Sequence, residues 1–180
     1  MMKQRLSILV IATIIISALS SDAFAAVGRD PYTYFFHDTF GDFSEELARA
    51  KDEGKEGILV FFELDECPFC HRMKQTVLNQ PEVQEYFRKH FLNFAVDIEG
   101  DVEITDFRGN ARTQKEWSTK VNRVRATPVF AIYNLEGKQV VRYTGATTGI
   151  EEFMWLGEYY VSGEYKNMRF TKYKRMKKKQ

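Results

Sequence analysis

The feature that most constrains the fold is an apolar run that leads directly to the only two cysteines of the chain. GILVFF, residues 57–62, has the length of a β-strand and no polar alternation, which is typical of a central strand covered on both faces. Cys67-Pro68-Phe69-Cys70 follows after a gap of four residues. Pro68 favours the first turn of a helix, because its missing N–H would have no partner there. We therefore expect the cysteine pair where a strand ends and a helix begins.

Apolar periodicity along the rest of the chain predicts an α/β fold. Helices are expected over 42–55, from 68, over 81–91, over 113–121 and from 148, and strands over 57–62, 92–98, 128–133 and 139–143. Strands joined through a helix pair in parallel, whereas the hairpin joining the last two strands pairs them antiparallel. The expected architecture is one central mixed β-sheet flanked by helices, with an extended loop at 99–112 before the helix at 113–121, which is the third helix when the helical segments from 68 to 91 are counted as one. That loop is polar and is expected to be solvated or to form a small hairpin.

Three capping boxes mark predicted helix starts. In each, a short polar side chain is followed three residues later by a glutamate, which lets the pair satisfy unpaired backbone N–H groups. The pairs are Asp42 with Glu45, Thr113 with Glu116, and Thr148 with Glu151.

The first 25 residues have the pattern of a secretory signal peptide. A short basic start precedes an apolar run at 6–19, and Ala23 and Ala25 offer small residues at the positions that signal peptidase reads. The run is shorter than the roughly 20 residues of a membrane-spanning helix. We expect an exported, periplasmic protein that begins near Ala26, with an uncleaved membrane anchor as the alternative.

The remaining chain divides into three parts. Residues 26–42 contain five aromatic side chains and are expected to form an N-terminal arm that packs its rings on the domain. Residues 43–163 form the expected domain, and 164–180 form a basic C-terminal tail. Residues 26–180 hold 24 basic and 24 acidic side chains, so no nucleic-acid partner is expected. The tail is expected to be frayed and solvated, with docking on an anionic membrane or an acidic partner as the alternative.

The cysteine pair has three possible roles. An exported thiol pair tends to form a disulfide, but a loop this short removes little entropy from the unfolded chain, which disfavours a purely structural role. Zinc needs about four ligands. His71 follows the pair directly, whereas His37 and His90 are distant in sequence, so a Cys/His metal site is only an alternative. A redox-active dithiol without metal or cofactor is the favoured interpretation.

The motifs together resemble the thioredoxin superfamily over residues 40–161. The resemblance rests on a strand followed by Cys67-Pro68-Phe69-Cys70, and on Ala126-Thr127-Pro128 at the start of the hairpin strand. Within the superfamily the chain is most similar to exported SoxW-like thioredoxin-related proteins. Those proteins share an aromatic approach segment, a C-P-x-C motif and an extended loop before the third helix.

The resemblance implies a set of site residues. Cys67, at the helix N-terminus where the thiolate is favoured, is the expected nucleophile, and Cys70 is the expected resolving thiol. Pro128 is expected to be cis, which brings the Thr127 backbone beside the dithiol for pairing with an extended substrate. Pro68 and Phe69 are expected to contact the substrate as well.

Two positions depart from the thioredoxin pattern. Phe61 replaces the buried aspartate that helps to move the proton of the resolving cysteine. Glu63 lies on the same face two residues later and is a candidate proton relay; the alternative, which the pattern favours, is that it is only the polar exit of the strand. Glu66 replaces the tryptophan that usually precedes the first cysteine. These losses favour a dedicated partner over general thioredoxin activity.

The expected function is that of a periplasmic thiol:disulfide oxidoreductase that reduces an exported client. Asp65 and Glu66 oppose ionisation of Cys67, and a weakly stabilised thiolate favours a reductant. Electrons would come from a membrane thiol donor. The resemblance implies the sulfur-oxidation carrier as client, and apocytochrome c is the alternative client. The alternatives are a thiol oxidase or isomerase, and a binding module or chaperone with a redox-sensing dithiol.

Overall fold

A four-stranded mixed sheet organises the protein. A computed structural model describes residues 28–179, so the predicted signal peptide lies outside the described part. The strands are β1 (Gly57–Glu63), β2 (Phe91–Asp97), β3 (Glu103–Thr105), β4 (Ala111–Thr113), β5 (Val129–Tyr133) and β6 (Gln139–Thr144). The helices are α1 (Pro31–Tyr34), α2 (Phe43–Asp52), α3 (Pro68–Thr76), α4 (Pro81–His90), α5 (Gln114–Glu116), α6 (Ile150–Val161) and α7 (Phe170–Lys177). A π-helical turn, Trp117–Val121, continues α5, and a 3₁₀ turn, Glu164–Lys166, precedes α7.

The sheet has the strand order β2-β1-β5-β6. β1 pairs in parallel with β2 and antiparallel with β5, and β6 pairs antiparallel with β5. This is the predicted mixed sheet, with β1 in its interior. The loop before α5 forms a separate two-stranded sheet from β3 and β4, which is the small hairpin expected as one option. Among residues 28–179, no helix is both long and apolar enough to span a bilayer.

Alternate residues of β1 serve two separate cores. Leu59 and Phe61 point to one face, where α3, α4 and α6 cover the sheet; we call this the cysteine-side core because it contains both cysteines. Ile58, Val60 and Phe62 point to the other face, which α2 and the π-helical turn cover; we call this the back core. All seven residues of β1 are buried, as expected for a strand with a layer on each face.

The N-terminal arm packs into the cysteine-side core. Asp30 caps the short helix α1, and the chain then places Phe35 and Phe36 in buried positions. The Phe36 ring stacks on Phe61 with centroids 5.8 Å apart. Arg88 of α4 donates a hydrogen bond to the Phe36 carbonyl at 2.9 Å, which fixes the end of the arm on the domain. The arm therefore covers the same face of the sheet that carries the cysteines.

The prediction of a frayed, solvated tail is wrong for the residues up to 179. α7 docks on α6 through Phe170 and Tyr173, whose rings lie 5.4 and 5.3 Å from that of Tyr159. The buried Glu152 also forms an ion pair with Lys174. The two aromatic residues are three apart, so they share one helical face, and the surrounding basic residues concealed that apolar face in the sequence.

Two of the three predicted helix starts are confirmed. The Asp42 carboxylate accepts hydrogen bonds from the N–H groups of Ser44 and Glu45, and the Thr113 hydroxyl accepts one from Glu116. The third capping box is wrong, because α6 begins after Gly149.

Glu152, rather than Glu151, is the partner of Thr148 at the start of α6. The Thr148 N–H and hydroxyl donate to its carboxylate at 3.2 and 2.6 Å. The hydroxyl of Tyr143 donates at 2.9 Å, and Lys174 completes the set. This carboxylate therefore joins β6, α6 and α7.

Replacing Glu152 should remove much of the acid sensitivity of the fold. Burial alone would raise the pKa of Glu152, but hydrogen bonds from Lys174, Thr148 and Tyr143 outweigh it and lower the pKa to about 2, from an ordinary 4.5. The ionised carboxylate therefore stabilises the fold above about pH 4.5, and this contribution is lost as the pH falls towards 2. At about 1.4 kcal/mol per pKa unit, it amounts to about 3 kcal/mol at most.

Urea denaturation of the parent and of Glu152→Gln, measured between pH 2 and 6, tests this. The parent should lose up to about 3 kcal/mol more free energy of unfolding over that range than the variant does. Glu151→Gln, at the exposed neighbouring position, is the control and should keep the slope of the parent. Equal slopes for the parent and Glu152→Gln would contradict the assignment.

Candidate active site

The dithiol lies at the junction between β1 and α3. Cys67 is the N-cap of α3 and has an extended backbone, and Pro68 occupies the first helical position. The Cys67 N–H donates to the Leu64 carbonyl at 3.2 Å, which closes the turn between the strand and the helix. Cys67 and Cys70 form a disulfide, with their Cα atoms 5.2 Å apart. The predicted strand-to-helix placement of the pair is thus present in the structure.

The two cysteines differ in exposure and in hydrogen bonding. Cys67 is 7% exposed, whereas Cys70 is fully buried in the cysteine-side core. The Cys70 backbone N–H donates to Cys67 Sγ at 3.1 Å. In the reduced protein the same N–H and the positive end of α3 favour a thiolate on Cys67. An incoming thiol or disulfide therefore reaches Cys67 more readily than Cys70.

The Thr127–Pro128 segment lies at the same end of the sheet as the dithiol. The peptide bond between these two residues is cis. Val129 pairs with Phe62 of β1, so Pro128 comes level with the point where the chain leaves β1 for the cysteines. Pro128 is buried and its carbonyl accepts a hydrogen bond from the Gly145 N–H at 2.8 Å, whereas Thr127 is half-buried.

The helix turn between the cysteines presents apolar surface to solvent. Phe69 is 55% exposed, and Pro68 is exposed as well. The Arg72 guanidinium lies 5.3 Å from the centroid of the Phe69 ring, a cation–π contact that orients the ring. The turn therefore presents an exposed aromatic ring next to the disulfide.

The buried Glu63 forms a three-residue cluster with Lys74 of α3 and the exposed Tyr32. Its carboxylate accepts hydrogen bonds from Lys74 at 2.7 Å and from the Tyr32 hydroxyl at 3.1 Å. The Lys74 ammonium also donates to the Tyr32 hydroxyl at 2.7 Å. Burial lowers the pKa of Lys74, but these hydrogen bonds outweigh it and raise the pKa above its ordinary value. Lys74 lies one helical turn after Cys70, on the same side of α3.

The charged residues around the motif face the solvent. Asp65 and Glu66 are exposed in the turn before Cys67. The His71 ring donates from Nε2 to the Asp65 carbonyl at 2.6 Å, since a carbonyl only accepts. This bond joins the first turn of α3 to the strand–helix turn.

The profile of the family described as Thioredoxin-like domain matches residues 43–160. The chain belongs to this thioredoxin-like family. The superfamily resemblance predicted from the motifs is therefore confirmed, whereas the narrower SoxW-like assignment stays a prediction. No curated protein matches the sequence significantly.

Solved structures show the same fold at low sequence identity. A thioredoxin-fold protein from Helicobacter pylori is 20% identical, with a TM-score of 0.58, over 70% of this chain and 86% of that chain. A thioredoxin from Thermus thermophilus is 22% identical, with a TM-score of 0.54, over 71% and 90%. The DsbH oxidoreductase is 19% identical, with a TM-score of 0.52, over 76% and 90%. The family fold with a Cys-x-x-Cys disulfide supports a thiol:disulfide oxidoreductase at the general level.

The thioredoxin-like protein has site residues that sequence reasoning missed. Lys74 and Tyr32 hold the Glu63 carboxylate, yet neither was a candidate. Lys74 had a usable signal, because it is four residues after Cys70 and so lies on the same face of the helix. No local sequence pattern points to Tyr32, because it is 31 residues before Glu63 and reaches it only through the folded arm.

Proposed function

We propose that the protein is a periplasmic thiol:disulfide oxidoreductase that reduces a disulfide of a dedicated exported client. The observation that carries the proposal is the asymmetric pair at the N-terminus of α3, in which Cys67 is 7% exposed and Cys70 is fully buried. A protein disulfide can approach Cys67 over exposed Pro68 and Phe69. The sulfur-oxidation carrier and apocytochrome c are the proposed clients.

The proposed reaction moves two electrons from the dithiol to the client. The Cys67 thiolate attacks one sulfur of the client disulfide, that S–S bond breaks, and the leaving client thiolate takes up a proton. Cys70 then loses its proton and attacks Cys67 Sγ, which forms the Cys67–Cys70 disulfide and releases the second client thiol. The disulfide seen in the structure is the oxidised product of this cycle. A membrane thiol donor is proposed to reduce it again.

Client binding is proposed to use the backbone beside the dithiol. Thr127 is half-buried and precedes β5 at the end of the sheet where Cys67 lies. An extended client segment that pairs with the Thr127 backbone gains main-chain hydrogen bonds without any demand on its sequence. Contact with Phe69 adds the side-chain component of specificity.

The cysteine variants should separate an oxidoreductase from a binding module. Cys67→Ser should reduce insulin no faster than the thiol reductant alone, because the attacking sulfur is gone. Cys70→Ser should accumulate mixed disulfides with its client, because the resolving step is lost. Non-reducing gels followed by mass spectrometry detect the trapped client. A binding module would give a different result. Cys67→Ser would still bind the client, and neither the parent nor Cys70→Ser would form a mixed disulfide with it.

If electrons flow from the dithiol to the client, as proposed, the redox potential of the Cys67–Cys70 pair should be that of a reductant. A strongly stabilised thiolate makes an oxidant, with about −120 mV for DsbA, against about −270 mV for thioredoxin. Here Phe69 adds no charge between the cysteines, and the nearby Asp65 and Glu66 oppose ionisation. We expect the potential of the Cys67–Cys70 pair to lie nearer to that of thioredoxin.

Equilibration of the protein with mixtures of reduced and oxidised glutathione measures this potential. The double variant Asp65→Asn/Glu66→Gln should be more oxidising than the parent, since it removes the opposing charge. A parent potential near that of DsbA would favour the oxidase alternative instead.

Glu63 is proposed as the group that accepts the Cys70 proton. Leu59 and Phe61 of β1 share a core with Cys70, and Glu63 continues the same face of the strand. Its carboxylate is almost buried and is ordered by Lys74 and Tyr32. An ordered carboxylate near a buried thiol supports proton transfer during the resolving step.

Glu63→Gln should slow the resolving step but not the first attack. We expect the conversion of the mixed disulfide to fall by about 100-fold at pH 7, with a changed pH profile, since an amide accepts no proton. Acid-quenched single turnovers analysed by mass spectrometry resolve the two steps. Glu82→Gln, at an exposed acid on α4, is the matched control. Equal effects on both steps would indicate that Glu63 only supports the structure.

A further inference from the structure

The C-terminal segment from residue 164 to residue 179 has a strong excess of exposed positive charge. Its one acidic residue is Glu164. Six exposed basic residues form no ion pair with another residue of the described part of the chain: Lys166, Arg169, Lys172, Arg175, Lys178 and Lys179. Neither the redox chemistry nor the packing of the domain uses them.

The inner face of α7 is fixed to the domain. Phe170 and Tyr173 pack on Tyr159, and Lys174 pairs with the buried Glu152. Lys177, one turn further, pairs with Glu158 at 2.8 Å. These contacts prevent the helix from rotating, so its opposite face is held outwards.

The outward face is basic with one apolar residue at its side. At about 100° per residue, Lys172 and Arg175 lie about 60° apart around α7, and Lys179 is exposed in the turn that follows the helix. Met176 lies about 40° from Lys172, on the side away from Arg175, and is 45% exposed. We call Lys172, Arg175, Met176 and Lys179 the basic face.

We propose that the basic face docks the protein on an anionic phospholipid bilayer. The outside of a single helix is convex and offers no groove for a folded partner, whereas a fluid bilayer adapts to it. Its charges complement lipid phosphates, and long lysine stems allow the apolar Met176 to approach the acyl chains while the ammonium groups stay in water. The pairing of exposed cations with an apolar side chain favours lipid over an acidic protein, which would need matched carboxylates.

The charge of the basic face sets the expected affinity for an anionic bilayer. Each basic residue near an anionic surface contributes about fivefold in affinity. The three cations of the basic face together should contribute about 100-fold. Because the attraction is screened within about 10 Å at 0.1 M salt, binding should weaken as salt is added.

Vesicle cosedimentation tests the proposal. The chain from Ala26 is used so that the apolar run at 6–19 does not itself enter the bilayer; both cores and every ion pair used above lie within residues 28–179. The parent should bind phosphatidylglycerol/phosphatidylcholine vesicles and be released by salt. With vesicles of phosphatidylcholine alone, the protein should stay in the supernatant.

A charge-matched pair of variants locates the effect. Lys172→Gln/Arg175→Gln/Lys179→Gln should bind the anionic vesicles about 100-fold more weakly. Lys51→Gln/Lys89→Gln/Lys115→Gln removes the same charge from exposed positions elsewhere and should bind like the parent. Circular dichroism checks that each variant is folded. Equal binding by parent and basic-face variant, an equal loss in the control variant, or binding of the parent to neutral vesicles would each overturn the proposal.

Discussion

Burial of β1 on both faces is the constraint on which the rest of the structure depends. A strand with no solvent face needs a layer on each side, so the helices divide into two groups around it. Its two neighbours, β2 and β5, satisfy both of its hydrogen-bonding edges. The strand then ends at a fixed place, and the chain has only Leu64, Asp65 and Glu66 in which to turn into α3. The packing of β1 therefore determines the position of Cys67.

The same junction also separates the chemistry of the two cysteines. As the N-cap of α3, Cys67 stands at the surface end of the helix, where backbone N–H groups lack carbonyl partners. Cys70 is one turn further along, and a helix lying on a sheet buries that side. The start of α3 thus leaves Cys67 slightly exposed and gives its Sγ an N–H donor at 3.1 Å, whereas Cys70 is fully buried. Their unequal roles require no additional charged residue.

Local patterns in the sequence were enough to predict most of the scaffold. The apolar run at 57–62, the cysteine motif and the Asp42 cap each depend on neighbours a few residues away, and each lies in the structure where expected. The errors occurred where distant residues decide the outcome. Thr148 pairs with Glu152 because Lys174, 22 residues further on, holds that carboxylate in place. The docking of α7 depends on the same contact, which no local pattern reveals.

The position of the buried carboxylate follows from the N-terminal arm. Phe61 packs between Phe36 of the arm and Phe130 of β5, with centroid distances of 5.8 and 4.8 Å. A carboxylate at position 61 would lie among these rings without a partner, at a cost of several kcal/mol. Two residues later, Lys74 and the Tyr32 hydroxyl of the same arm satisfy Glu63. The arm thus disfavours a carboxylate in the middle of β1 and supplies a hydrogen-bond donor to the carboxylate at the end of β1. In this way it helps to build the surroundings of the dithiol.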